Sequence, residues 1–477
     1  MIINELREQR QLQGIIRWRK NKCRGILAWA TGVGKTYGTV LTIKHIEQIR
    51  NPTYLIIVPS QTVLKQWKAM FESFFNEEIL SRIMFYTVNE VQNSPFIFKI
   101  DILIIDEIHE YTTDERIRFV TGEKIECKAI LGLTASITEY SFKRVLQYVP
   151  IVDEITEQEA TENGFIAQFH EFNVQLELTE AEKKMYDKIT EIFSLQMVKF
   201  DNNLDTAQKC LVGGNMYRNG KSKFYTAIQW ATTYAMGKGW RDDLNPQLEA
   251  HRMIIDLWHP NKIVGYARQL IKAIRDRKHL LEHSVAKYET AIAIIKKFNK
   301  VKTIVFSENT AMVDALYDKL NDNEKVVRFH SNLEPILAPS RKTGAMIKKG
   351  SLTQKNEAID DFKTSKARIL LSTRAVDKGL NVPDIRLGLT ISGSSKTNQY
   401  EQRGGRVKRI EEEETTAESS LFGETKALLI NLYLKDTQDE VWIKNRQRHT
   451  THFIYDVTSI DDISYTPPPN DEFIIDF

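Results

Sequence analysis

The sequence predicts an α/β fold in which two parallel-sheet domains follow one another in tandem, with a largely helical insert between them. Short apolar runs alternate with longer segments of helical periodicity in both halves of the 477-residue chain. Such runs are typical of strands that are buried on both faces by helices. Because the runs form two separate series, we expect two sheets and two domains.

Each predicted strand is one of these apolar runs. The first series comprises Gly25–Trp29, Tyr54–Val58, Ile102–Ile105 and Ala129–Leu133. The second series comprises Thr303–Phe306, Val326–Phe329, Arg368–Leu371, Leu387–Ile391 and Leu428–Tyr433. The domain boundaries that follow are 1–165 for the first α/β domain, 166–300 for a crossover linker and basic helical insert, 301–450 for the second α/β domain and 451–477 for an acidic C-terminal tail.

Composition is that of a globular protein, with 42% hydrophobic and 27% charged residues. No apolar stretch approaches the roughly 18 residues of a membrane span, and the N-terminus has no secretory pattern, so we expect a cytoplasmic location. The cysteines Cys23, Cys127 and Cys210 are widely scattered, which predicts neither a disulfide framework nor a zinc cluster.

The net charge of +3 conceals a segregation of charge along the chain. Residues 192–300 hold 18 Lys and Arg against 9 Asp and Glu, whereas residues 410–477 hold 5 against 15. The basic segment also carries aromatic residues, among them Tyr217, Phe224, Tyr225, Trp230, Tyr234, Trp240 and Trp258. This mixture suits phosphate contacts and base stacking, although a helical insert with an aromatic core and a solvated basic face explains the individual aromatics better.

The segment from Gly25 to Thr36 predicts a triphosphate-binding loop, because an apolar strand leads through a small-residue turn into Lys-Thr at the start of a helix. Backbone N–H groups of such a turn converge on one concavity, and the helix N-terminus adds partial positive charge. Lys35 would neutralise phosphate oxygens and Thr36 would bind Mg²⁺. The predicted nucleotide contacts are Thr31, Gly32, Val33, Gly34, Lys35 and Thr36.

One position departs from the usual pattern of such loops. The residue five before Gly34, commonly glycine, is Trp29. The alternative is an ordinary surface turn that contains Gly-Lys-Thr. The strand before and the helix after the turn favour the phosphate loop.

A second candidate feature follows the apolar run Ile102–Ile105, which ends in Asp106-Glu107-Ile108-His109. Asp106 is predicted to hold the Mg²⁺ that Thr36 also binds, and Glu107 to orient the water that attacks the γ-phosphate. A solvated acidic turn is the alternative. The phosphate loop about 70 residues upstream, a separation that suits one sheet, favours the catalytic interpretation.

Further strings carry a family resemblance. They are Leu6-Arg7-Glu8-Gln9, Val58-Pro59-Ser60, Leu133-Thr134-Ala135-Ser136, the segment from Ser372 to Pro383 that contains Asp377-Lys378-Gly379-Leu380-Asn381, and Gln402-Arg403-Gly404-Gly405-Arg406-Val407-Lys408-Arg409. In this order the chain resembles a superfamily 2 helicase or translocase from about Leu6 to Arg448. The resemblance implies two RecA-like domains, ATP as cofactor with Mg²⁺, and nucleic acid as partner.

The resemblance also implies roles for particular residues. Gln9 would contact adenine, with Gln11 as the alternative register, and Asp377 and Gly379 would contact the nucleotide from the second domain. His109, Thr134 and Ser136 would couple hydrolysis to domain movement. The nucleic-acid contacts would be Ser60, Gln61, Lys65, Ser307, His330 and Thr373, although Ser307 and His330 are equally well explained as satisfied residues at strand ends.

The string from Gln402 to Arg409 resembles the arginine-finger motif, with Gln402, Arg406 and Arg409 as catalytic residues. Guanidinium groups brought from the opposite domain would stabilise the charge that spreads over the γ-phosphate oxygens. Because they are three residues apart, Arg406 and Arg409 would face one side of a helix. A solvated basic face is the alternative, which the neighbouring Asp377-Lys378-Gly379 string disfavours.

Within the superfamily the chain is most similar to phage and bacterial proteins of the UvsW, XPB and RecG group, which implies a bacterial cytoplasm or, for a phage-encoded chain, that of the host. The segments that carry this similarity are Asp106–His109, Thr161–Ala167 and Leu429–Trp442. The implied activity is remodelling of branched DNA, without sequence specificity. A double-stranded DNA translocase that does not separate strands is the second hypothesis, and a nucleotide-gated binding module is the third.

We expect Arg406→Ala to spare ATP binding and to lower ATP turnover by on the order of 10³ or more, because an arginine finger acts on the transition state. Steady-state hydrolysis beside nucleotide binding by the same protein measures both quantities. Unchanged turnover would contradict the proposed closure of the second domain over the nucleotide.

Overall fold

The structure is a computed structural model that describes residues 2–135, 142–200, 202–215, 260–322, 324–341, 344–373, 385–393, 403–404, 407, 426–448, 450 and 452–466. Its contacts divide the chain into two compact units, one made of Met1–Leu176 with Lys287–Phe477 and the other of Glu177–Ala286. Within the described residues, no helix has the length and apolar character needed to cross a membrane.

The first sheet of the larger unit has six parallel strands. They are β1 (Arg24–Trp29), β2 (Tyr54–Val58), β3 (Ile83–Thr87), β4 (Phe98–Ile105), β5 (Ile125–Thr134) and β6 (Ile151–Ile155), in the order β3-β2-β4-β5-β1-β6. The helices are α1 (Ile2–Lys20), α2 (Lys35–Glu47), α3 (Gln61–Phe74), α4 (Glu77–Leu80), α5 (Val88–Asn93), α6 (Asp114–Thr121), α7 (Lys143–Leu146) and α8 (Glu157–Glu162).

Apolar residues of this sheet pack into one cluster on each face. Leu27 and Ile56 share a cluster with Trp67 of α3, and Ile26 shares the opposite cluster with Ile117 of α6. Because successive strand residues point to opposite faces, a continuous apolar run is required to fill both clusters. This is why the central strands were recognisable in the sequence.

The second sheet, also in the larger unit, has seven parallel strands. They are β7 (Gln168–Leu176), β8 (Thr303–Phe306), β9 (Val326–Phe329), β12 (Ile369–Ser372), β13 (Leu387–Thr390), β14 (Lys426–Leu434) and β15 (Ile454–Val457), in the order β15-β7-β14-β13-β8-β12-β9. A separate antiparallel hairpin pairs β10 (Ile336–Pro339) with β11 (Met346–Lys349). The accompanying helices are α12 (Val285–Lys297), α13 (Thr310–Leu320), α14 (Ser351–Lys363) and α15 (Gln438–Gln447).

All nine predicted strands are present, and the fold class is confirmed. The structure also contains β3, β6, β10 and β11, which the sequence analysis did not predict, and it differs at β7 and β15, which the sequence placed in the linker and in the tail but which belong to the second sheet. The sequence of β7 has no continuous apolar run, because this strand buries polar side chains. The fully buried Glu171 accepts hydrogen bonds from Asn431 Nδ2 at 2.7 Å and from Gln447 Nε2 at 2.8 Å, which satisfies the carboxylate inside the fold.

The smaller unit is helical in its described part. It contains α9 (Glu180–Val198), α10 (Leu204–Asn215) and α11 (Pro260–Glu282). Its core joins Phe200 and Cys210 to Ile263 and Leu270, and burial raises the pKa of the Cys210 thiol to about 11. The aromatic residues from Tyr217 to Trp258 lie outside the described residues, so their predicted role stays a prediction.

Candidate active site

The loop between β1 and α2 has the strand, turn and helix that the sequence predicted. Gly32 and Gly34 adopt φ values of 97° and 94°, a left-handed conformation that favours glycine. Gly34 is the N-cap of α2, so the helix begins at Lys35 with its N-terminal N–H groups at the loop. Lys35 Nζ donates a hydrogen bond to the carbonyl oxygen of Trp29 at 3.1 Å, which keeps the ammonium over the loop. This arrangement has the geometry of an anion-binding site.

Trp29, the departure from the usual loop pattern, is a core residue. Its side chain is fully buried, and its indole N–H donates to Asp153 Oδ2 at 2.6 Å. The ring lies against α2 at Gly38, where an added Cβ would come within 2.4 Å of a ring carbon. The glycine at position 38 therefore leaves the room that the indole of Trp29 needs.

The buried carboxylate of Asp153, on β6, collects three hydrogen-bond donors. Besides the indole of Trp29, it accepts from Arg10 at 2.9 Å and from Arg17, both on α1. Arg10 also contacts Glu159 at 2.6 Å. These ion pairs hold α1 against β6 and α8.

This anchoring brings Gln11 of α1 to the phosphate loop. Its fully buried side chain donates from Nε2 to the carbonyl oxygens of Val33 at 2.8 Å and Gly34 at 3.3 Å. Gln11 Oε1 is buried and has no hydrogen-bond partner among the described residues. Gln9, the register preferred from the sequence, is exposed on α1. The structure thus places the alternative residue, Gln11, beside the nucleotide loop.

Asp106 and Glu107 follow β4, at the same sheet edge as the phosphate loop. Burial, together with the neighbouring Glu107 carboxylate, raises the pKa of Asp106 to about 7, and the positive charge of Lys35 opposes this rise. Glu107 adopts φ 52° and ψ 49°, and its N–H donates to Asp106 Oδ1 at 3.1 Å. A left-handed non-glycine residue costs of order 1–3 kcal/mol and is enriched at functional sites.

Two of the three coupling residues predicted from the sequence, His109 and Thr134, are in contact. His109 Nδ1 lies 3.4 Å from Glu107 Oε2 and 2.9 Å from the Thr134 hydroxyl. His109 and Thr134 are both buried, and Thr134 ends β5. A continuous set of contacts therefore joins the carboxylate of Glu107 to the end of the adjacent strand.

The donors around the loop suit a magnesium ion bound largely by phosphate and water. Among the described residues, no group of three or more His, Cys, Asp or Glu is arranged to hold a metal ion. Mg²⁺ is commonly held by one or two protein oxygens together with substrate phosphates and waters. The carboxylate of Asp106, whose burial disfavours an isolated negative charge, and the hydroxyl of Thr36 fit this requirement.

The predicted nucleic-acid contacts of the first domain lie at the start of α3. Ser60 caps this helix by accepting the N–H of Val63 at 3.4 Å. Gln61 is exposed and donates to Glu90 at 2.9 Å, and Lys65 is exposed. Lys65 is thus positioned on the surface where a phosphate can reach it.

The predicted nucleic-acid contacts of the second domain lie at the ends of β8, β9 and β12 and are buried. Ser307 Oγ accepts the N–H of Asn309 at 3.1 Å, and Thr373 is 7% exposed. His330 Nδ1 accepts the N–H of Asn332 at 3.3 Å, so Nε2 carries the proton toward Asp314, 3.0 Å away. Ser307 and His330 are therefore satisfied strand-end residues in this structure, as the alternative proposed.

Six predicted site residues lie outside the described residues, namely Ser136, Asp377, Gly379, Gln402, Arg406 and Arg409. Their roles stay predictions. Within the same motif, Arg403 is buried and pairs with Glu308 at 2.9 Å, a contact that the sequence analysis did not foresee. The role of Asp153 was also missed, because Asp153 stands beside Glu154 in β6 and the sequence does not show which of the two is buried.

Comparisons with known proteins agree with this architecture. The family model described as "Type III restriction enzyme, res subunit" matches residues 1–139, and that described as "Helicase conserved C-terminal domain" matches residues 286–411. The DNA 3'-5' translocase XPB2 of Sulfurisphaera tokodaii is 22% identical over 91% of this chain and 83% of its own length.

Two further similarities are weaker. A putative ATP-dependent RNA helicase of Methanocaldococcus jannaschii is 22% identical over 85% of this chain and 57% of its own length. The helicase domain of Pyrococcus furiosus Hef is 16% identical, with a TM-score of 0.49 over 92% of this chain and 98% of that one.

The two α/β domains and the phosphate loop define an ATP-hydrolysing enzyme that depends on nucleic acid. The ordered pair of family matches, one on each α/β domain, places the chain among the superfamily 2 helicases and translocases.

Gln11→Ala should weaken ATP binding about 2- to 10-fold, because the loop loses the hydrogen bonds that Gln11 donates to Val33 and Gly34. Gln9→Ala is the matched control on the same helix and should leave affinity unchanged. Equilibrium titration with a fluorescent ATP analogue measures both. The reverse ranking of the two variants would restore the Gln9 register.

Lys35→Ala should abolish ATP binding and turnover, since it removes the cation that faces the phosphates. Glu107→Gln should retain ATP and lose turnover by on the order of 10²–10⁴, the usual contribution of a general base. Nucleotide binding and single-turnover hydrolysis separate the two effects. Normal turnover in either variant would contradict the site.

Proposed function

We propose that the protein is an ATP-dependent DNA helicase that translocates on DNA and remodels branched substrates by fork regression, junction migration and duplex unwinding. The observation that carries the choice of DNA is the similarity to a DNA translocase over 91% of the chain, through both α/β domains. Binding is not expected to be sequence-specific, since no base-reading motif is visible in the sequence.

In the proposed mechanism, the phosphate loop holds ATP through its backbone N–H groups and Lys35. Mg²⁺, held by Asp106 and Thr36, would supply charge neutralisation at the β- and γ-phosphates. Glu107 accepts a proton from the attacking water, and its unusual backbone conformation sets the direction of the carboxylate. The loop itself consists of Thr31, Gly32, Val33 and Gly34. Gln11 Oε1 is a buried hydrogen-bond acceptor that would contact the adenine of ATP.

Hydrolysis is coupled to movement through the contacts between Glu107, His109 and Thr134. A change in charge or position at Glu107 alters the hydrogen bond at the end of β5. We propose that Ser136 continues this path. Arg406 and Arg409, with Gln402, Asp377 and Gly379, complete the site from the second domain when it closes.

A second candidate is a double-stranded DNA translocase that does not separate strands. It is favoured by the Sulfurisphaera tokodaii relative, which is named as a translocase, and by the restriction-enzyme description of the family model that matches residues 1–139. The basic insert, with 18 Lys and Arg against 9 Asp and Glu in residues 192–300, suits duplex phosphates in either case.

The deciding experiment compares ATP-dependent dissociation of a synthetic four-way DNA junction with unwinding of a linear tailed duplex of DNA and one of RNA. Faster dissociation of the junction than of either duplex is the expected result, and Lys35→Ala is the control without ATP binding. If no substrate opens while duplex DNA stimulates hydrolysis, the translocase replaces the helicase. Preferential opening of the RNA duplex would contradict the DNA assignment.

A further inference from the structure

The hairpin formed by β10 and β11 presents an apolar outer face with one cation. Leu337 pairs with Lys348 and Pro339 with Met346, so these four residues share a face. Leu337 is 70% exposed and Met346 is 59% exposed, and Pro339 and Lys348 are exposed as well. An isolated hairpin gains no stability from exposing large apolar residues, so this outer face suggests a binding role.

Polar contacts fasten the hairpin to α14, although Ile336 and Ile347 on its opposite face are exposed as well. Lys349 is buried and contacts both carboxylate oxygens of Glu357 at 2.8 Å, and Arg341 contacts Asp361 at 2.5 Å. Gln354 donates to the carbonyl oxygens of Glu334 at 2.7 Å and Lys349 at 3.1 Å, which ties the two ends of the hairpin together.

The three supporting residues of α14 are spaced so that they form one face of the helix. Gln354, Glu357 and Asp361 lie at intervals of three and four residues, which places them in one row. The row holds the hairpin both at its base and near its turn. These contacts therefore hold the outer face in a fixed direction relative to α14.

The hairpin leaves the second sheet at the edge where nucleic-acid contacts were expected. The chain enters it from the carboxyl end of β9, through residues 331–335, which follow His330. Parallel strands share this edge, so the ends of β8 and β12, at Ser307 and Thr373, lie on the same side. Because Ser307 and His330 are buried, the hairpin supplies exposed side chains that these residues do not.

We propose that the outer face formed by Leu337, Pro339, Met346 and Lys348 contacts the bases of nucleic acid at the point where the two strands part. Leu, Met and Pro are side chains that insert between base steps and unstack them. Lys348 adds a positive charge suited to the adjacent phosphate. This inference rests on the proposed function, which supplies the branched DNA that the outer face would contact.

The test uses the full chain and a DNA fork with 2-aminopurine at the branch point, whose fluorescence rises when that base is unstacked. Leu337→Ser/Met346→Ser should abolish the rise seen with the wild type and lower strand separation about tenfold or more, equivalent to about 1.4 kcal/mol in the barrier. DNA-stimulated ATP hydrolysis should stay unchanged. The conservative exchange Leu337→Met/Met346→Leu should restore the fluorescence rise.

Val441→Ser is the matched control, because Val441 is an exposed apolar residue, 48% accessible, on α15. An equal fluorescence rise in the wild type and the serine variant would overturn the proposal, as would no rise in the wild type on a bound fork. A wild-type dimer that the serine variant turns into monomers, by light scattering, would assign the face to chain association instead.

Failure of the proposed function gives a different result. In that case the wild type separates no strands and DNA does not stimulate hydrolysis, while the fluorescence of the bound fork still tests the hairpin without any motor activity.

Discussion

The carboxylate of Asp153 is the interaction on which the ATP-site end of the first domain depends. A buried carboxylate is costly unless donors surround it, and here the donors are the indole of Trp29 and the guanidinium groups of Arg10 and Arg17. Through Arg10 and Arg17 it places α1, and with it Gln11. Through Trp29, whose ring lies against Gly38, it constrains the start of α2. One carboxylate thus positions both helices that border the phosphate loop.

The chemistry of the site follows from the parallel sheet. β1, β4 and β5 are neighbours, so the phosphate loop, Asp106 and Thr134 emerge at one edge although about 100 residues separate the first from the last. Glu107, with its left-handed backbone, lies at this edge, directly after Asp106. Its strain is held by surrounding contacts, including the hydrogen bond from its own N–H to Asp106.

The second domain uses the same kind of edge differently. Its strand-end residues Ser307 and His330 are turned inward and stabilise the loops, and the ion pair between Glu308 and Arg403 ties the arginine motif to the end of β8. The exposed side chains at this edge are carried by the hairpin instead. In the proposed mechanism, the residues that organise the loops of this domain are therefore distinct from those that face the nucleic acid.

The sequence alone determined the two-sheet architecture, the phosphate loop and the Asp106-Glu107 pair, because these depend on local patterns: apolar strands, a glycine turn and carboxylates at a strand end. It could not determine that Gln11 rather than Gln9 reaches the loop, that β7 joins the second sheet, or that His330 is buried. Each of these was decided by partners distant in the chain, namely Val33 for Gln11, Asn431 for Glu171 of β7 and Asp314 for His330. Burial and hydrogen bonding between distant segments are tertiary properties, and no local pattern encodes them.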